Sequence, residues 1–89
     1  MRSVITVVGK DTVGILAKVS SECARYRINV LEVTQSILQD MFAMIMMVDL
    51  EHSTISFSEF SDLLAEAGKD MGLAIHVMHE DIFNAMHTI

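Results

Sequence analysis

The sequence predicts an α+β fold in which two β-α-β units build a two-layer sandwich, one antiparallel sheet under two helices. Three observations carry this. Four stretches alternate with a period of two and are separated by two stretches with a helical period. The segment Ser56-Phe57-Ser58-Glu59 is a capping box that marks where the second helix begins. Two of the strand-like stretches are apolar on both faces, as strands flanked on either side should be.

Ser3 to Val8 is the first strand, with Ile5 and Val7 on one face and Val4, Thr6 and Val8 on the other. From Val13 to Arg27 the period lengthens. Leu16, Val19, Cys23 and Tyr26 share one helical face, while Lys18, Glu22 and Arg25 share another. Thr12 is the candidate N-cap of this helix, and Asn29 the candidate left-handed residue that ends it. Val30 to Gln39 reads as an edge strand, with Leu31, Val33 and Ile37 inward and Glu32, Thr34, Ser36 and Leu38 outward. A Gln39-Asp40 turn leads into Met41 to Leu50, apolar on both faces and therefore central. The second helix carries the stripe Phe60, Leu63, Leu64, Ala67 and Met71 and stops at Gly72. Leu73 to Met78 is the last strand, followed by a helical tail with Ile82, Met86 and Ile89. Right-handed crossovers put both helices on one face, and the split β-α-β arrangement gives the ferredoxin-like sheet order 4-1-3-2. The far sheet face then exposes Val4, Thr6, Val8 and part of the third strand, which predicts a homodimer or higher homo-oligomer.

Composition narrows the function. At 89 residues there is room for one domain, spanning residues 1 to 89, and 52% hydrophobic residues against 20% charged exclude disorder. A net charge of −6 lacks the basic footprint of a nucleic-acid binder and disfavours anionic membranes. The longest apolar run, Met41 to Val48, is far too short to span a bilayer, and no leader-like stretch opens the sequence. With the lone Cys23, this places the chain in the reducing cytoplasm.

One segment looks like a site: Gly9-Lys10-Asp11-Thr12-Val13-Gly14-Ile15, between the first strand and first helix. Its glycines allow close approach and unusual backbone angles, and the amides that open a helix attract a carboxylate. Asp11 can receive an ammonium, so the segment suits a small molecule that carries both groups, an amino acid above all. Asn29 can add a donor or acceptor but stands a helix length away, so it would have to come from a neighbouring subunit.

The pattern Gly9-x-Asp11-x-x-Gly14-Ile15-Leu16, followed after one helix by Ile28-Asn29-Val30, resembles the ACT domain family over nearly the whole chain. The length and the ending Glu80-Asp81-Ile82-Phe83-Asn84-Ala85-Met86-His87 resemble the short stand-alone bacterial members akin to the glycine-cleavage regulator. The resemblance implies regulatory ligand binding at domain interfaces, carried here by Asp11, Thr12, Val13, Gly14, Ile15 and Asn29, with no catalytic residue, cofactor or metal. A partner enzyme or regulator would read the ligand-bound arrangement.

Other readings are weaker. The loop could merely shape a strand-to-helix turn. His76, His79 and His87 invite a metal reading, but His76 and His79 are an odd number of residues apart on a strand, point to opposite faces and make poor joint ligands without a distortion. The methionines of the third strand suit packing, and Cys23, on an apolar stripe, behaves as a small hydrophobe. An acylphosphatase-type enzyme would need an arginine just inside the first helix, and Val13 to Ala17 has none. An RNA-binding sheet would need more than Phe42 to stack bases. The remaining alternative is a protein-interaction or dimerisation module with no small ligand.

Overall fold

The computed structural model describes residues 1–10 and 13–86, with the backbone alone at residue 38. Its elements are β1 (Arg2–Gly9), α1 (Ile15–Arg25), β2 (Asn29–Leu38), β3 (Met41–Asp49), α2 (Phe57–Met71), β4 (Ala74–His79) and α3 (Glu80–Met86). The strands form one antiparallel sheet in the order β2-β3-β1-β4, which is the expected 4-1-3-2 seen from the other edge. β1 is paired along both edges, so both of its neighbours fix its register: Ile5 lies between Met46 and Val77, and Val7 between Met44 and Ile75. These side chains face the helices and join Val19 and Cys23 of α1 and Phe60 and Leu64 of α2 in the buried core. Each such side chain contributes about 1.5–3 kcal/mol by leaving water.

α2 follows its sequence signals closely. The Ser56 hydroxyl accepts from the Glu59 amide at 3.1 Å, and the Ser56 amide donates to Glu59 Oε1 at 3.1 Å. At the other end Gly72 is left-handed (φ 71°), with Leu73 N–H donating to Gly68 C=O at 2.8 Å and Gly72 N–H to Lys69 C=O at 3.2 Å. Gly68 is buried against β4. A Cβ there would sit 2.8 Å from the Leu73 carbonyl oxygen and 2.9 Å from Ile75 Cγ1.

α1 departs from the expected reading at both ends. Gly14, not Thr12, occupies the N-cap; it is left-handed (φ 79°), and no side chain caps the helix. Thr12 lies outside the described residues. The helix closes through Arg27 (φ 59°) rather than Asn29, because Ile28 must follow the reversal into the core, where it is 4% exposed. Its amide donates to Cys23 C=O at 2.8 Å, while Arg27 N–H donates to Ala24 C=O at 3.2 Å. The row that enters the core is Ile15, Val19 and Cys23, spaced four apart, so Leu16 stays on the exposed side. Glu22, expected in solvent, is buried.

β2 carries a bulge between Val30 and Glu32 that absorbs Leu31 and shifts the alternation. Val30, Val33 and Ile37 consequently align with the core-facing Val48, Met46 and Phe42 of β3. The expected inward trio of Leu31, Val33 and Ile37 nevertheless stays exposed, because β2 is an edge strand that α1 barely covers. On the far sheet face, α3 packs on β1 and β4, and Arg2 Nε reaches Glu80 Oε2 at 3.0 Å. Val4 is therefore fully buried and Thr6 half-buried, which corrects the broad exposed patch; Val8, Met41 and Ile45 remain exposed.

Three outcomes test this account of α2. Ser56→Ala should lower the unfolding free energy in urea by about 1 kcal/mol, as loss of an N-cap does. The Ser56 amide and hydroxyl hold the Glu59 carboxyl below its usual range. That stabilisation is complete above the unfolded carboxyl range near pH ~4.3 and is lost as pH falls through the folded value, so Glu59→Gln should flatten the acid limb of stability against pH. Gly68→Ala tests the packing on β4. An ordinary helical site gains about 1 kcal/mol from this change, whereas here calorimetry should show a lower Tm because the added carbon has no room.

Candidate functional site

Because β1 runs through the middle of the sheet, its C-terminal end delivers Gly9 and the following loop to the centre of one sheet edge, beneath the start of α1. Gly9 is buried, and a Cβ there would displace the end of the Leu73 side chain. Lys10 is exposed and pairs with Asp40 of the β2–β3 turn at 3.4 Å, tying the loop's start to the neighbouring hairpin. Gly14 then makes the left-handed reversal into α1, with open space where a Cβ would be.

Among the described residues no side chain caps the start of α1, its first turn holds no acidic residue, and the first helical bond runs from Lys18 N–H to Gly14 C=O at 2.9 Å. The amides of Ile15, Leu16 and Ala17 precede that bond and find no helical carbonyl, so they present partial positive charge at the helix end. Beside them Val13 is 88% exposed, an apolar side chain held out in solvent.

The candidate residues do not all converge. Val13, Gly14 and Ile15 are contiguous at this helix start, although the Ile15 side chain is committed to the core and offers only its backbone. Asp11 and Thr12 lie outside the described residues. Asn29 opens β2 opposite Asp49, which in turn lies opposite Arg2, at the other end of β1 from Gly9. Seven residues of strand separate those two ends, about 23 Å, so one chain cannot bring Asn29 to its own loop.

Other groups fall elsewhere. His76 lies opposite Thr6 and His79 opposite Ser3, on opposite sheet faces, and His79 Nδ1 accepts from the Asp81 amide at 3.1 Å. His87 lies outside the described residues. Burial first, and the neighbouring Glu22 second, push the Cys23 thiol up to about 11. Sequence reasoning missed the burial of Glu22. The available signal was its position directly before Cys23 on a helix whose apolar stripe is narrow.

The element order, with both helices on one face of a β2-β3-β1-β4 sheet, is that of a ferredoxin-like domain. A sequence model of the ACT domain matches residues 2–78, and the chain belongs to the ACT domain family. A UPF0237 protein of Clostridium acetobutylicum is 46% identical over 89 residues, covering all of both chains. An ACT domain protein from Streptococcus pneumoniae superposes with a TM-score of 0.81 at 30% identity, over 93% of each chain. A protein assigned as a glycine cleavage system transcriptional repressor shares the fold at a TM-score of 0.70 and 20% identity, over 85% of this chain and 43% of its own. No helix among the described residues is long and apolar enough to cross a membrane.

Gly14→Ala should cost about 1–2 kcal/mol, because a side chain must then adopt the left-handed conformation, and urea titration measures it. Cys23 should react with an aromatic disulfide reagent at pH 8 far more slowly in the native protein than in denaturant, since the neutral thiol predominates. Equal rates would show that the α1 core face is open.

Proposed function

We propose that the chain is a non-catalytic sensor domain of the cytoplasm that binds an amino acid or similar small zwitterion at the β1–α1 loop, between two copies of itself. The observation that carries this is the start of α1: amides at the positive helix end that no side chain caps among the described residues, opened by a left-handed glycine and unopposed by any first-turn acid. A carboxylate supplies the missing acceptor. Asp11, adjacent in sequence, is the candidate partner for the ammonium.

A second copy completes the site. The outer edge of β2 is ten residues long, without proline, and bears exposed Leu31, Val33 and Ile37. Two such edges paired antiparallel about a two-fold axis near Val33 and Thr34 bring Asn29 of one copy beside residue 38 of the other. That end of the sheet also holds the Asp40–Lys10 ion pair and the loop, which leaves β1 three strand spacings, about 14 Å, from the partner's β2. Asn29, stranded within one chain, is thus brought to the same end of the sheet as its partner's loop. A ligand held there favours one arrangement of the two copies by as much as its affinity for the two arrangements differs, and a partner protein reads that arrangement.

A thermal-shift screen against amino acids and related small acids tests the sensor. Tm should rise with occupancy for at least one ligand, by the equivalent of about 2.7 kcal/mol at a hundred times Kd, and Asp11→Ala should abolish the rise. No response to any ligand would leave a protein-interaction module instead. Sedimentation at micromolar concentration should show a dimer or larger species, and Val33→Glu should shift it towards monomer.

A further inference from the structure

A second concavity lies on the outer surface of the helical layer, away from the sheet. It is an open groove of about 880 Å³ between α1 and α2, lined by Lys18, Glu22 and Arg25 on one side and by Asp62, Glu66 and Asp70 on the other. Leu63, Ala67 and Met71 give it an apolar lining, and Val13 and Gly14 also border it. The three α2 carboxylates recur every fourth residue, so they form a row with steps of about 6 Å along the helix. Among the described residues, Asp62 and Asp70 take part in no salt bridge, and Glu66 is met only by the exposed Lys69 at 4.0 Å.

Glu22 is what makes this groove more than a charged surface. Its side chain is only 9% exposed; Oε1 pairs with Lys18 Nζ at 3.2 Å, and Oε2 is buried with no hydrogen-bond partner among the described residues. Everything local works against a carboxylate there. A buried acceptor left unpaired is costly, a negative charge in the last half of a helix opposes the dipole, and lysine preceding glutamate by four residues is the weaker order for such a pair. Glu22, the one charged side chain among the buried residues of α1, lies one turn after Val19 and directly before Cys23.

We propose that the groove binds a linear alkyl diamine or polyamine, with one ammonium taking the place of Lys18 Nζ at the Glu22 carboxylate and another on the Asp62, Glu66 and Asp70 row. Four carboxylates outnumber the two bases, Lys18 and Arg25, so the groove is net acidic. The apolar lining between the charged walls fits the methylenes that separate the nitrogens. A single inorganic cation fits poorly, because among the described residues no three metal-ligating side chains converge. The proposal is independent of the loop reading, since it uses no backbone amide of α1 and needs no second copy.

Isothermal titration with spermidine and putrescine, at constant ionic strength, tests it on the wild-type protein. Saturable binding of one molecule per chain is expected, weakened roughly tenfold by Glu22→Gln, as loss of a charged hydrogen-bond partner would do, and measurably by Glu66→Gln. Glu51→Gln, an acid outside the groove, should bind as the wild type does. If Glu22→Gln loses its native circular dichroism, the exposed Glu66→Gln and a double Asp62→Asn, Asp70→Asn variant decide the matter. Absence of saturable heat, equal heat from magnesium chloride at matched charge, or binding indifferent to the groove variants would each overturn the proposal.

Discussion

The structure depends on β1 being hydrogen-bonded along both edges. A strand so placed is solvated on neither side, so its backbone groups are satisfied only by β3 and β4, and its register is set twice. The same pairing aligns Ile5 and Val7 with Met44 and Met46 under the helices. It also determines where the chain leaves the sheet. The loop after Gly9 emerges in the middle of one end and must turn at once to start a helix that covers that face, which is the work of Gly14. An uncapped helix start at the centre of a sheet end is thus a consequence of topology as much as of local sequence.

That consequence separates the two ends of the molecule. The residues of the proposed ligand site, the loop and Asn29, lie at opposite ends of the strands, and β2, which carries Asn29, is one of the two strands with a free outer edge. In the proposed dimer, pairing the β2 edges brings the partner's Asn29 to the loop's end of the sheet. The far sheet face has less to offer a second copy, because α3 already covers β1 and β4 there.

Much of this was legible in the sequence because the deciding signals are local. The Ser56 and Glu59 pair, Gly72, the two-sided apolar strands and the Gln39-Asp40 turn each describe a few neighbouring residues, and all appear where expected. What was hidden depends on distant contacts. The bulge at Leu31 arises from pairing with β3, and no alternation within β2 announces it. The burial of Val4 depends on α3 folding back, some eighty residues away in sequence. Gly14 as N-cap in place of Thr12 reflects the angle at which α1 must leave the loop, and Ile28 in the core displaced the helix stop from Asn29 to Arg27. Of the candidate site, Val13, Gly14 and Ile15 lie at the start of α1, while the groove around Glu22 was invisible because it takes two helices to make it.

Regulation by a bound zwitterion at the start of α1 is the central claim, and amide chemical shifts of isotopically labelled protein report on it residue by residue. Titration with an amino acid that raises Tm should move the amides of Val13 to Ala17 most, with Asn29 shifting in the same titration because a second copy brings it there. Shifts confined to the groove between α1 and α2, or to α3 and the far sheet face, would contradict the account.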